Sequence, residues 1–266
     1  MKNLIKITGV FVLLLLLTSC GSVPLTGRKQ ILLVSDTELL TVSLTQYDEY
    51  LKTAVKSTDK NKSEMVERAG KKIAFATENY LKQNGLEKEI ANFKWEFNTI
   101  KDNAVNAFCM PGGKIVVFEG LFPLISSEDE LAVVIGHEVA HAVAKHSNER
   151  MSQEILTQVG ASFVDMALSQ RSMITKEIGN TVFGLGAQLG LMLPYSRKHE
   201  YEADYMGLVF MTLAGYSPSS AVSFWQKMAS MSGKSDGTDF LSTHPSDNKR
   251  IEEIQRRLPE MEKIRK

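Results

Sequence analysis

Residues 137–141 read His-Glu-Val-Ala-His within a stretch that is apolar nearly all round, from Leu131 through Ile135 and Val139 to Val143. The spacing predicts a buried helix, and burial restricts what its polar residues can do. Positions i and i+4 lie one above the other, about 6 Å apart along the axis, so His137 and His141 can address one ion from one face. Glu138 points about 100° around from His137. That keeps its carboxylate off the ion yet close enough to take a proton from a water there. Without partners, each such buried group would cost roughly 1–3 kcal/mol. A single zinc ion per chain would supply the partners.

The 266 residues, 43% hydrophobic and without a repeated unit, suit one catalytic domain with a sizeable core. Lys and Arg number 31, as do Asp and Glu, and the signs are mixed along the chain, so charge gives no argument for nucleic acid as a partner. Lys2 and Lys6 precede the apolar run Val10 to Leu17, which reads as an export signal too short for a permanent span. Leu17-Thr18-Ser19-Cys20-Gly21 then matches a bacterial lipobox, which predicts cleavage before Cys20, its acylation, and attachment to a membrane outside the cytoplasm. Gly21 in place of Asp leans toward the periplasmic face of the outer membrane in a source with two membranes. Residues 1–19 are therefore expected to be a signal peptide, 20–30 an acylated tether and 31–266 the catalytic domain. Cys109, the other cysteine, has no intramolecular partner once Cys20 is acylated and reads as a small buried hydrophobe.

Ser35-Asp36-Thr37-Glu38 is a capping box for one helix, and a second is expected from Ser63 to Gln83, stopped by Asn84-Gly85. Phe93, Trp95 and Phe97 alternate with polar residues, as in a half-buried strand. After the turn Pro111-Gly112-Gly113, Lys114 to Phe118 reads as a strand that arrives just before the pentad helix, itself capped at Ser127 to Glu130. An edge strand there would hold an extended substrate by main-chain pairing. The glycine-containing apolar stretch Ile155 to Leu193 is read as buried or loosely packed helices over the site, in preference to a membrane hairpin. Ser217-Pro218 opens a later helix, another follows Pro245, and Pro259 to Lys266 is expected to be a frayed tail.

A catalytic zinc takes three protein ligands and a water, so the pentad is one ligand short. His146, nine residues after His137, projects to the opposite side of an ideal helix. The dense stretch Arg197-Lys198-His199-Glu200-Tyr201-Glu202-Ala203-Asp204 is the carboxylate candidate. If Glu200 binds the metal, Asp204 lies one turn along the same face, where it can accept a hydrogen bond from His137. Glu202 and His199 are rival ligands, and a solvated charged helix start is the plain alternative.

The pentad together with Ser196-Arg197 and Glu200 to Asp204 resembles the zinc metalloendopeptidases of the HtpX and CAAX-prenyl-protease type. Further matches are Val23 to Arg28, Asn106-Ala107-Phe108 with Pro111-Gly112-Gly113 and Gly120-Leu121, and Thr243-His244-Pro245 with Arg250-Ile251. In layout the chain is similar to the periplasmic, membrane-anchored lipoprotein members of the LoiP and BepA kind. The resemblance implies a predominantly helical α+β fold, a zincin-type domain with a small antiparallel sheet whose edge strand precedes the active-site helix. It implies Glu200 as third ligand, Glu138 as general base and Asp204 as the residue that orients a ligating imidazole. His244 would approach the metal, as an oxyanion donor or as a fourth ligand, unless it merely caps the next helix. Ile115, Val116 and Val117 would pair with a protein or peptide substrate bound as an added strand. Arg250 would steady a substrate carbonyl or pair with a carboxylate. The implied function is membrane-anchored, zinc-dependent hydrolysis of misfolded or unassembled envelope proteins. The rival is a zinc-containing lipoprotein that acts mainly as a chaperone.

Overall fold

A computed structural model of the chain describes residues 20–168, 195–231, 240–244 and 248–265. The expected signal peptide and most of the expected cover, residues 169–193, lie outside the described residues. No described helix is long and apolar enough to cross a membrane.

The fold opens on a hairpin, β1 (Cys20–Ser22) paired antiparallel with β2 (Lys29–Ile31). This corrects the expectation of a tether. Val23 is buried in the main core, and Thr26 and Arg28 bond to Glu202. Pro, Gly and Thr here build a tight turn, with Gly27 at φ 67° and its N–H donating to Val23 O at 2.9 Å.

Helices α1 (Asp36–Thr53) and α2 (Lys60–Gln83) follow, the first closed by the full capping box of Ser35 and Glu38. After the short α3 (Glu87–Ile90) comes a three-stranded sheet: β3 (Glu96–Ile100), β4 (Ala107–Met110) and β5 (Lys114–Phe118). The alternating residues Phe93 and Trp95 precede β3 and stack on each other at 4.6 Å. Strand order is β3-β5-β4, with β3 parallel and β4 antiparallel to β5. The sheet is therefore mixed, and the strand before the active-site helix is its centre. Ile115, Val116 and Val117 are fully buried with backbone paired on both sides, so they cannot take a substrate strand.

A 3-10 turn (Glu119–Leu124) leads into α4 (Glu128–Val143), capped by Ser127 Oγ accepting from Glu130 N. Lys145, at φ 59°, turns the chain sharply into α5 (His146–Leu168), which covers the first part of the stretch read as helical. Helices α6 (Arg197–Leu213), α7 (Ser220–Met231), α8 (Phe240–Thr243) and α9 (Asn248–Ile264) complete the described fold. The last runs past Pro259 instead of fraying, because Met261 is fully buried in the core.

The core centres on α4, which is buried all round and crosses α6 at two glycines. A Cβ on Gly136 would stand 2.9 Å from Gly207 O, and one on Gly207 would stand 2.9 Å from His137 N. Neither contact involves a side chain that could move aside. Gly207→Ala is therefore expected to cost roughly 1–3 kcal/mol by overpacking and to weaken zinc binding, since it separates the helices that carry the donors. Thermal unfolding and zinc titration check this; a parent-like variant on both would contradict the packing.

Candidate metal centre

Among the described residues, His137, His141, Glu200 and His244 form a buried group whose ligand atoms all lie within 4.8 Å of one another. The two pentad imidazoles project from α4 and Glu200 from the first turn of α6, which is capped by Ser196 Oγ accepting from His199 N. His244 follows α8, its backbone N–H donating to Phe240 O at 2.8 Å and its ring stacked on Phe240 at 4.2 Å. His137 Nε2 and His141 Nε2 are 3.0 Å apart. Glu200 places Oε2 at 3.4 Å from the first and Oε1 at 3.3 Å from the second. His244 Nδ1 lies 3.2 Å from both His137 Nε2 and Glu200 Oε1.

The partners on the far side of each ring fix which nitrogen carries the proton. His137 Nδ1 faces Asp204 Oδ1 at 3.0 Å, close though off the line of an aligned hydrogen bond. His141 Nδ1 faces His146 Nδ1 at 2.9 Å, and His146 Nε2 faces Glu202 at 3.0 Å. A carboxylate can only accept, so His146 carries its proton on Nε2 and accepts from His141 through Nδ1. Both pentad Nε2 atoms are then bare lone pairs pointing at each other and at Glu200. A metal cation between them makes that arrangement favourable. Tetrahedral zinc with nitrogen and oxygen ligands at 2.0–2.2 Å sets its donors about 3.3 Å apart, which fits the observed spacings.

Electrostatics around the donors are arranged in pairs. Arg250 is buried, donates Nε and Nη2 to Asp204 at 2.8 and 2.7 Å, and sets Nη1 2.7 Å from Glu200 Oε2. Its guanidinium stacks 3.9 Å over Trp225. This corrects Arg250 as a substrate-binding residue: both carboxylates occupy it and no face is left for substrate. Burial works against charge on Glu200, yet His244 and Arg250 hold it well below the usual carboxylate range. Asp204 is held low against burial by Arg250 and His137.

Glu138 differs. Burial pushes its carboxyl up, partly offset by His244 and His137. Oε2 accepts from the Cys109 backbone N–H at 3.0 Å, while Oε1 has no hydrogen-bond partner and lies 3.4 Å from His244 Nε2.

The rival ligands Glu202 and His199 stand apart from the donor group but are far from solvated. Glu202 accepts from His146, Thr26 and Arg28, and His199 Nε2 lies 3.1 Å from Glu149, which Arg28 grips with two nitrogens. Sequence reasoning missed Arg28, His146 and Glu149 here. The signal was the run Val23 to Arg28, matched as a motif but assigned no role.

Two imidazoles one turn apart, a carboxylate from a second helix and a glutamate beside them with one unpartnered oxygen define a metalloprotease-type centre. Residues 62–258, about three quarters of the chain, match the model of Peptidase family M48, and the chain belongs to that family. Its metal is zinc, and the donor set fits it. The chain is 40% identical over 172 residues to the mitochondrial metalloendopeptidase OMA1 of Schizosaccharomyces pombe, covering 64% of this chain and 49% of that protein. It is 28% identical over 251 residues to human mitochondrial OMA1, covering 91% and 46%. With the beta-barrel assembly-enhancing protease of Escherichia coli it shares 28% over 177 residues, covering 63% and 35%. The matched stretch thus spans about half or less of these relatives.

Burial opposes charge on Glu149 and Glu202, but His199 with Arg28, and His146 with Thr26 and Arg28, lower each from 4.5 to about 2. A carboxylate lowered on folding stabilises fully above its unfolded value and loses that contribution as pH falls through the folded one. In the metal-free protein, Glu149→Gln should therefore melt below the parent at neutral pH, and the gap should close between pH 4.5 and about 2. A gap independent of pH would contradict the assignment.

Proposed function

We propose that the chain is a membrane-anchored, zinc-dependent endopeptidase acting outside the cytoplasm on misfolded or unassembled envelope proteins. The observation that carries the catalytic reading is Glu138 Oε1, a buried carboxylate oxygen without a hydrogen-bond partner beside the donor group. A structural zinc site has no use for such a group. Zinc, when bound by His137, His141 and Glu200, acidifies a water and polarises the peptide carbonyl. Glu138 accepts the proton of the attacking water and delivers it to the departing amine. The burial that raises its carboxyl moves it toward the working pH, where both transfers are favoured.

Substrate binding is assigned to β4, an edge strand of the sheet among the described residues. Cys109 N–H points from β4 onto Glu138, so the outer edge of this strand faces the site. An extended peptide added there by main-chain pairing would first displace the bonds that the outward N–H groups of Ala107 and Cys109 make to Asn106 Oδ1 and Glu138.

His244 supplies a fourth protein donor, the pattern of a closed site. This favours a resting state that substrate must open, and it is also what a chaperone-like zinc protein would show. Acylation of Cys20, the lipoprotein subtype and the envelope location are supported by the lipobox and by the likeness to the E. coli assembly-enhancing protease.

On an unfolded protein substrate, chelation should abolish cleavage and Glu138→Gln should lower its rate by about 10²–10⁴-fold with zinc content unchanged. His244→Ala should raise the rate by freeing the fourth position. A Glu138→Gln variant as fast as the parent would refute the mechanism, and no cleavage by parent or His244→Ala would favour the chaperone reading.

A further inference from the structure

A continuous polar path joins the N-terminal hairpin to one of the metal-facing imidazoles. Glu202 is its junction. Oε1 accepts from Thr26 Oγ1 at 2.5 Å, and Oε2 accepts from Arg28 Nε at 2.6 Å and His146 Nε2 at 3.0 Å. Arg28 forks its two remaining nitrogens onto Glu149 at 2.8 and 2.6 Å. Glu149 is held in turn by His199, whose ring stacks on His146 at 4.4 Å.

We propose that Thr26 and Arg28 are positioning residues for His141, acting through Glu202 and His146, so that the N-terminal hairpin sets how tightly the metal is held. This rests on reading His141 as a metal ligand. The path has one proton order: His141 Nδ1–H donates to His146 Nδ1, and His146 Nε2–H donates to Glu202. Each member fixes the rotation and tautomer of the next, and the last turns the His141 Nε2 lone pair toward the donor group. The far partner of a ligating imidazole tunes orientation and basicity, and its loss typically lowers metal affinity about 10–100-fold. Here that partner is itself an imidazole, which can also donate, so its tautomer must be imposed by Glu202. The Glu202 carboxylate must in turn be fixed in place, which Arg28 and Thr26 secure by donating to its two oxygens.

The geometry of the hairpin suits this task. Val23 N donates to Arg28 O at 2.8 Å, and Leu25 and Gly27 take φ 71° and 67°, so the turn that presents Thr26 and Arg28 is closed on itself. The strand leading into it begins at Cys20. Metal affinity is thereby linked to the segment that follows the proposed anchor site.

The test measures zinc dissociation constants by chelator competition, and the visible spectrum of the cobalt-substituted protein, for parent, Arg28→Gln, Thr26→Val, His141→Asn and Arg68→Gln. Arg68 forks Glu128 at the surface and serves as control. Arg28→Gln, acting through Glu202 and His146, should bind zinc more weakly, by at most the roughly 10–100-fold that loss of a direct partner costs, with a shifted cobalt spectrum. Thr26→Val should move both the same way by less, and Arg68→Gln should move neither. A merely structural role would lower the melting temperature and leave affinity and spectrum of the folded protein at parent values, which would overturn the proposal. If Arg28→Gln does not fold, Thr26→Val decides on the same two readings. If His141→Asn binds zinc like the parent, it is the metal-site reading that fails. Loss of zinc by His141→Asn beside parent-like Arg28→Gln removes only the role of the hairpin.

Discussion

Two helices approach most closely, backbone against backbone, where neither carries a Cβ, and α4 and α6 do so at Gly136 and Gly207. The site depends on that contact. Gly136 adjoins His137, and Glu200 lies about two turns before Gly207 on α6. Pressing the helices together there carries the Glu200 carboxylate onto both pentad imidazoles. A residue of ordinary size at the crossing would push α6 away from α4 and carry the Glu200 carboxylate off the two nitrogens, which are themselves 3.0 Å apart.

The close crossing creates a buried concentration of charge that the fold must compensate. It does so with two arginines. Arg250 lies against Asp204 and Glu200 on the His137 side, and Arg28 against Glu202 and Glu149 on the His141 side. Each pentad imidazole is thus backed by a carboxylate held by a guanidinium, directly for His137 and through His146 for His141. Buried ion pairs of this kind add little net stability but are costly to break from one side. Their value here is orientation: the donors point inward in one arrangement, and Glu138, outside both pairs, is left with an uncommitted oxygen.

What the sequence made legible follows from how local each feature is. The pentad is a single helical turn, so spacing alone placed both imidazoles and Glu138. Along α6, Glu200 and Asp204 share one face while His199 and Glu202 share another, and all four are buried. Nothing local says which face meets the metal, so only the family resemblance selected Glu200. Arg250 is one arginine in a charged helix, and its partners come from α6, beyond any local pattern. His146 was projected along an ideal helix, whereas Lys145 at positive φ turns the chain and folds its ring back onto His141. The burial of β5 was readable, but not its central place. Ile115-Val116-Val117-Phe118 is a continuous apolar run, the mark of a strand buried on both faces, but that does not separate centre from edge, since the edge strand Ala107–Met110 is apolar throughout as well. Its parallel partner β3 pairs only through the fold.

The proposed resting site is one zinc ion held by His137, His141 and Glu200, with His244 as the fourth donor. X-ray absorption at the zinc edge of the purified protein tests it most directly. The expected result is one zinc per chain with a shell of nitrogen and oxygen at about 2.0–2.2 Å and strong imidazole scattering. A sulfur shell near about 2.3 Å, or a protein that folds and retains no zinc, would contradict it.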